Sequence, residues 1–122
     1  MTTKETDTFH KLDRNLLPPT ILQAENGFVK REFLKNCTVH IAISSGIEQG
    51  DSVDPQLYVE RMGTITRTPF VVTAEHLAEG IVWQLPVYNL VALPGAAVEA
   101  GYSVKKTDGS RLKSPGGKYK VE

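Results

Sequence analysis

The chain has 122 residues, 40% of them apolar and 23% charged, with 14 basic and 14 acidic side chains. That length makes one domain of ordinary size with a core of its own, and the apolar content excludes a wholly disordered chain. The zero net charge gives no general attraction for nucleic acid or an anionic membrane surface.

Residues 1–17 are polar, of mixed charge and without hydrophobic period, and read as a flexible N-terminal arm. Pro18-Pro19 marks the start of the folded domain, 18–122, as an extended pair. TILQA (20–24) is a short strand and Asn26-Gly27 a turn. FVKREFLKN (28–36) is a loop with at most one helical turn. After Asn36 the period becomes two: in CTVHIAI, Cys37, Val39, Ile41 and Ile43 share the inner face, while Thr38 and His40 face away. SSGIEQGDS is a loop. QLYVERM (56–62) is a strand near a sheet edge, since both its faces carry polar groups. TITRTPFVV (64–72) is a strand that Pro69 bulges or confines to an edge.

TAEHLAEG (73–80) has the frame of a capped turn. Thr73 is placed to cap it, Glu75 suits the positive end, Gly80 suits the stop, and Leu77 is the plug of a sandwich end. IVWQLPV (81–87) alternates, with Ile81, Trp83, Leu85 and Val87 inward. YNLVALPG is a connection with Leu90 and Leu93 as core plugs. AVEAGYSVKK (97–106) is the clearest strand, with Val98, Ala100, Tyr102 and Val104 inward. Thr107-Asp108-Gly109-Ser110 is a hairpin turn. RLKS follows, then the Pro115-Gly116-Gly117 break, and KYKVE (118–122) is the last strand. About seven short antiparallel strands about ten residues apart, with Gly and Pro at the reversals, predict an all-β fold. A sandwich of two sheets is the expected architecture and a small barrel the alternative.

Cys37 is the single cysteine, so no intrachain disulfide forms, and its place on an alternating apolar face reads as a buried structural thiol. No stretch approaches the roughly 18 apolar residues of a membrane span, and the N-terminus has no secretory apolar core. The expected location is therefore cytoplasmic, unless the chain leaves by a non-classical route or within a larger surface protein. Charge is unevenly placed: residues 37–104 hold two basic and seven acidic side chains, and residues 105–122 six basic and two acidic. The basic tail strands are expected to lie beside the acidic ones; the other reading is an anion-binding patch on the last hairpin.

Four stretches carry a resemblance. ILQAENGFVKREFLKNCTVHI, GIEQGDSVDPQLYV, FVVTAEHLAEGIVWQLP and AVEAGYSVKKTDGSRLKSPG resemble, in that order, the strands and turns of a single bacterial immunoglobulin-like repeat. Such repeats occur in Gram-negative, pseudomonad-type surface and secreted proteins. The resemblance covers about 100 residues and implies a Greek-key sandwich. Tyr102 resembles the tyrosine corner of such folds, its hydroxyl returning to the backbone of the preceding connection.

Candidate sites follow from residue type. His76 and Glu79, with Glu75, are the weak candidates for a metal, but zinc and di-iron motifs hold such ligands on helices of several turns, and this turn is too short. No cofactor is expected. Glu48, Asp51 and Asp54 give three carboxylates where calcium takes six to eight oxygens. No nucleophile, base and orienter converge, so a non-catalytic reading is favoured. The expected function is an interaction or structural module binding a protein or carbohydrate partner through end loops or an edge strand, with QLYVERM and KYKVE as the candidate edges. Glu75, His76, Glu79, Tyr58 and Tyr119 are the candidate contact residues. A monomer, or a weak homo-oligomer through an edge strand, is expected, with no nucleic acid and no membrane as partner. The alternatives are a small secreted or injected effector, possibly toxic, and a spacer repeat of an adhesin.

Overall fold

The computed structural model describes residues 11–12, 16–30, 32, 37–44, 46–85 and 93–122. The elements are β1 (Lys11–Leu12), β2 (Thr20–Ile21), β3 (Phe28–Val29), β4 (Thr38–Ile41), β5 (Ser52–Val59), β6 (Gly63–Thr66), β7 (Phe70–Val71), α1 (Ala74–Glu79), β8 (Ile81–Gln84), β9 (Ala97–Lys105), β10 (Arg111–Lys113) and β11 (Gly117–Val121). They form an eight-stranded sheet and a three-stranded sheet, the latter in the order β2-β4-β8. The chain alternates between them: β2, β4 and β8 lie in the small sheet and every other strand in the large one. The arrangement is all-β and sandwich-like.

Two long strands form the centre of the large sheet. β5 and β9 pair antiparallel from Ser52↔Lys105 to Val59↔Val98. Shorter pieces flank them. β6 and β7 line the free side of β5, and β10 and β11 line the other side of β9. The chain breaks between the flanking pieces where backbone donors or side chains are missing: at Pro69, and at Pro115-Gly116-Gly117. These breaks raise the strand number above the expected seven. β1 and β3 add parallel pairs against β10 and β11, so the sheet is not wholly antiparallel.

Period-two alternation explains the core. β9 buries Val98, Ala100, Tyr102 and Val104; β5 buries Val53, Leu57 and Val59; β4 and β8 bury Val39, Ile41, Ile81 and Trp83. One half of the core gathers around Trp83, Val39, Leu57 and Val98, and the other around Ile41, Ile81, Tyr102 and Val104. Phe70 packs against both. Cys37 is fully buried in the first half, and burial pushes its thiol up to about 11 against a weaker opposing backbone hydrogen bond. A buried thiol with a raised pKa carries little thiolate at neutral pH. Thr38 is buried on the small sheet because its polar atoms are paired: its hydroxyl donates to Gln84 Oε1 at 2.7 Å, and its N–H donates to Gln23 Oε1 at 2.8 Å.

Several expectations are corrected. QLYVERM is not an edge: β5 begins at Ser52 and has partners on both sides. Its polar residues belong to the outer face of an interior strand, where Gln56 and Tyr58 meet solvent while Leu57 and Val59 are buried. KYKVE is not a free edge either, since β11 lies between β9 and β3. Leu77 plugs nothing; it is 40% exposed on a helix that buries no residue. Leu93 is 55% exposed, and Leu90 and Val87 lie outside the described residues. The Tyr102 hydroxyl reaches past the preceding connection and donates to the Leu17 carbonyl at 2.8 Å. Of the expected arm, residues 1–10 and 13–15 lie outside the described residues, Lys11–Leu12 pairs with β10, and Leu16 is 1% exposed in the core. Among the described residues no helix is long and apolar enough to cross a membrane.

Candidate functional site

The outer face of the large sheet is built by the residues that alternate away from the core. On β9 these are Ala97, Glu99, Gly101, Ser103 and Lys105. Three of the five are small, so the middle of the face is low. Strand register sets taller side chains on either side. Tyr58 stands opposite Glu99, Gln56 opposite Gly101 and Asp54 opposite Ser103. Across the other side of β9, Lys118 faces Glu99, Lys120 faces Ala97 and Lys113 faces Ser103.

A groove along β9 results, with three open hollows. One of about 340 Å³ lies over Gly101, between Gln56, Tyr58 and Lys113. A second of about 470 Å³ lies over Ala97, between Tyr58, Phe28 and Lys120. A third of about 270 Å³ lies at the far end, between Asp54, Pro69, Lys105 and Arg111. Tyr58 and Glu99 line both of the first two. Tyr58 is 41% exposed and Phe28 47%, so each offers an aromatic surface to solvent. Glu99 turns toward the strand break: a Cβ at Gly116 would overlap its carboxylate. The side-chain groups available in the groove are hydroxyls, an amide, carboxylates, ammonium groups and an aromatic face. They stand on strands whose backbones are paired, and are so held in fixed positions.

Compared with known proteins, the chain matches no family model, no curated protein and no solved structure.

The other residues singled out from the sequence lie elsewhere. Thr73 caps α1 as expected: its hydroxyl accepts from His76 N at 3.2 Å, while His76 Nδ1 accepts from Thr73 N at 3.1 Å. This closes a capping box in which histidine replaces the usual glutamate. One ring nitrogen of His76 is thus engaged by the backbone, and the ring edge meets Phe70 at 6.0 Å between centroids. The Arg67 guanidinium covers Phe70 at 3.9 Å. Glu75 and Glu79 are exposed. His40 Nε2 donates to the Glu79 carbonyl at 3.2 Å, which packs its ring against Gly80. There a Cβ would lie 2.6 Å from Nε2, and φ is 85°, so glycine is required. Among the described residues no three His, Cys, Asp or Glu side chains gather to hold a metal ion.

Tyr119 is half-buried. Its ring packs against the core and its hydroxyl accepts from Ile21 N at 3.2 Å, joining the two sheets. Of the five candidate contact residues only Tyr58 stands within the groove; Tyr119 reaches its rim, and Glu75, His76 and Glu79 are at another part of the fold.

Glu48 and Asp51 do gather around a cation, but it is Lys106. Its ammonium donates to Asp51 Oδ2 at 2.6 Å, Glu48 Oε1 at 3.0 Å and the Gly46 carbonyl at 2.9 Å. Asp51 is fully buried. Burial by itself would lower the Lys106 pKa, but the hydrogen bonds and charges of Asp51 and Glu48 outweigh it and hold the ammonium above its ordinary range. Asp54 points elsewhere, to the groove. Among the described residues the expected pairing of basic tail with acidic middle is realised in ion pairs at Lys106 alone.

Sequence reasoning missed the groove itself. Its signal was present: the outward positions of AVEAGYSVKK are small at 97, 101 and 103.

Proposed function

We propose that the chain is a single immunoglobulin-like unit of the kind resembled by its sequence, a non-catalytic binding module whose partner is a carbohydrate held on the outer face of the large sheet. The observation that supports this reading most is the position of Tyr58. Its half-exposed ring stands between two hollows floored by Ala97 and Gly101, where a sugar ring has an aromatic surface below it and hydrogen-bonding groups on either side. Sugar hydroxyls both donate and accept, and the groove offers both kinds of partner in Gln56, Thr64, Glu99 and Ser103. Binding through an edge strand has less support, because both candidate edges have partners on each side.

The test is a panel of immobilised glycans probed with the chain, with Tyr58→Ala, and with Leu77→Ala on α1 as a surface control. The expected result is binding that Tyr58→Ala reduces by tenfold or more, on the order of one lost stacking contact, and that Leu77→Ala leaves unchanged. Binding that survives Tyr58→Ala and is lost with Leu77→Ala would move the partner surface to the helix end.

A further inference from the structure

We infer that the saccharide is linear and acidic, lying along β9 with its acid groups against the β10–β11 wall; this rests on the reading of the outer face as a saccharide site. The two walls of the groove are unlike. The β5 wall presents Asp54, Gln56 and Tyr58. The opposite wall presents Arg111, Lys113, Lys118 and Lys120, each brought to the groove by register with β9. None of these four side chains has a hydrogen bond or ion pair among the described residues. That holds even for Lys118, which stands opposite Glu99, because the Glu99 carboxylate folds over Gly116 instead.

Cations in a row on rigid strands, with no ion pair among the described residues, attract an anion that repeats along a line. Lys118 and Lys120 are two residues apart on one strand, about 7 Å, and the groove follows β9 for roughly 30 Å. A linear chain fits this shape better than a compact anion does.

The carboxylates of the groove select among polyanions. Asp54 and Glu99 place carboxylates in the groove. They accept from the hydroxyls that a saccharide carries on each ring and that the interior of a deoxynucleotide chain lacks. A peptide strand has no ladder to join here, since β5 and β9 are interior strands with partners on both sides.

The test is calorimetric titration of the full chain at low and at physiological salt. The probes are a short linear oligouronate, a sulfated linear oligosaccharide, a neutral linear oligoglucan of matching length, and oligo-dT. Each titration is repeated with Lys113→Gln/Lys118→Gln, whose thermal midpoint is recorded alongside. The expected result is that an acidic oligosaccharide binds about tenfold tighter than the neutral one, that salt shrinks this advantage, and that the double variant loses about tenfold for the acidic probe alone with an unchanged midpoint. Binding of only one acidic probe identifies the acid group as carboxylate or sulfate. Equal affinity for neutral and acidic probes overturns the inference and leaves the saccharide site standing. Tighter binding of oligo-dT overturns it in favour of nucleic acid. Absence of binding by every saccharide overturns both this inference and the reading beneath it.

Discussion

Replacing Tyr102 by phenylalanine removes the hydroxyl that donates to the Leu17 carbonyl, across 85 residues of sequence. The ring itself stays in the core. The expected cost is about 1 kcal/mol, read as a lower midpoint in urea with an unchanged slope. Lys106 is the second residue whose effect is specific. In Lys106→Met the buried Asp51 carboxylate loses its counter-ion, and removing one partner of a buried pair costs about 3 kcal/mol or more. Asp51→Asn is milder, because the Lys106 ammonium is partly exposed and keeps Glu48 and the Gly46 carbonyl. The pH dependence follows from the raised pKa of Lys106. The folded chain holds this proton more tightly than the unfolded chain does. The contribution is therefore complete below the ordinary lysine value, about 10.4, and is lost as pH rises through the folded value. Thermal midpoints measured across that range are expected to fall in the native chain, with this component of the fall missing from Lys106→Met.

At the scale of elements, local chemistry was legible and tertiary placement was not. The capped turn at 73–80 formed as its residues dictate, because Thr73 and Gly80 act within one turn. What it packs against depends on residues far away in sequence, so Leu77, expected as a plug, is exposed. Thr73→Ala is accordingly expected to cost about 1 kcal/mol through the lost cap, and Leu77→Ala less than about 0.5 kcal/mol, both by chemical denaturation. The β5 segment teaches the same lesson. Alternating polar residues mean one solvated face, which an edge strand and an interior strand share; pairing partners on either side are non-local and leave no mark in the strand's own sequence. β9 was legible in full on its inner face, and its outer face held the groove. Gly101 is the informative position there. Its backbone carries no positive φ and the nearest atom to an added Cβ is Ser114 Oγ at 4.0 Å. Gly101→Val is thus expected to fold with equal or higher stability, since a β-branched residue suits a strand better than glycine, while filling the hollow and abolishing saccharide binding. Loss of folding would contradict the open space above Gly101, and retained binding would contradict its place in the groove.

At the scale of the molecule, the alternation of the chain between two sheets places the core in two halves joined by Phe70. It also leaves the large sheet with one dry face and one wet one. The all-β class and the inward residues Val39, Ile41, Ile81, Trp83, Val98, Ala100, Tyr102 and Val104 followed from period-two patterning alone. Among the described residues the unequal charge halves form ion pairs only at Lys106, and the cations of the last strands form one wall of the groove. That consequence required knowing which strands lie side by side. The most direct test of the central claim is the mapping of backbone amide shifts by NMR during titration with an oligosaccharide that binds. Shifts are expected to concentrate at Gln56, Tyr58, Glu99, Gly101 and Ser103, with α1 and the Leu93–Ala96 turn unmoved. Shifts confined to α1 or to β8, with the outer face of the large sheet silent, would contradict it.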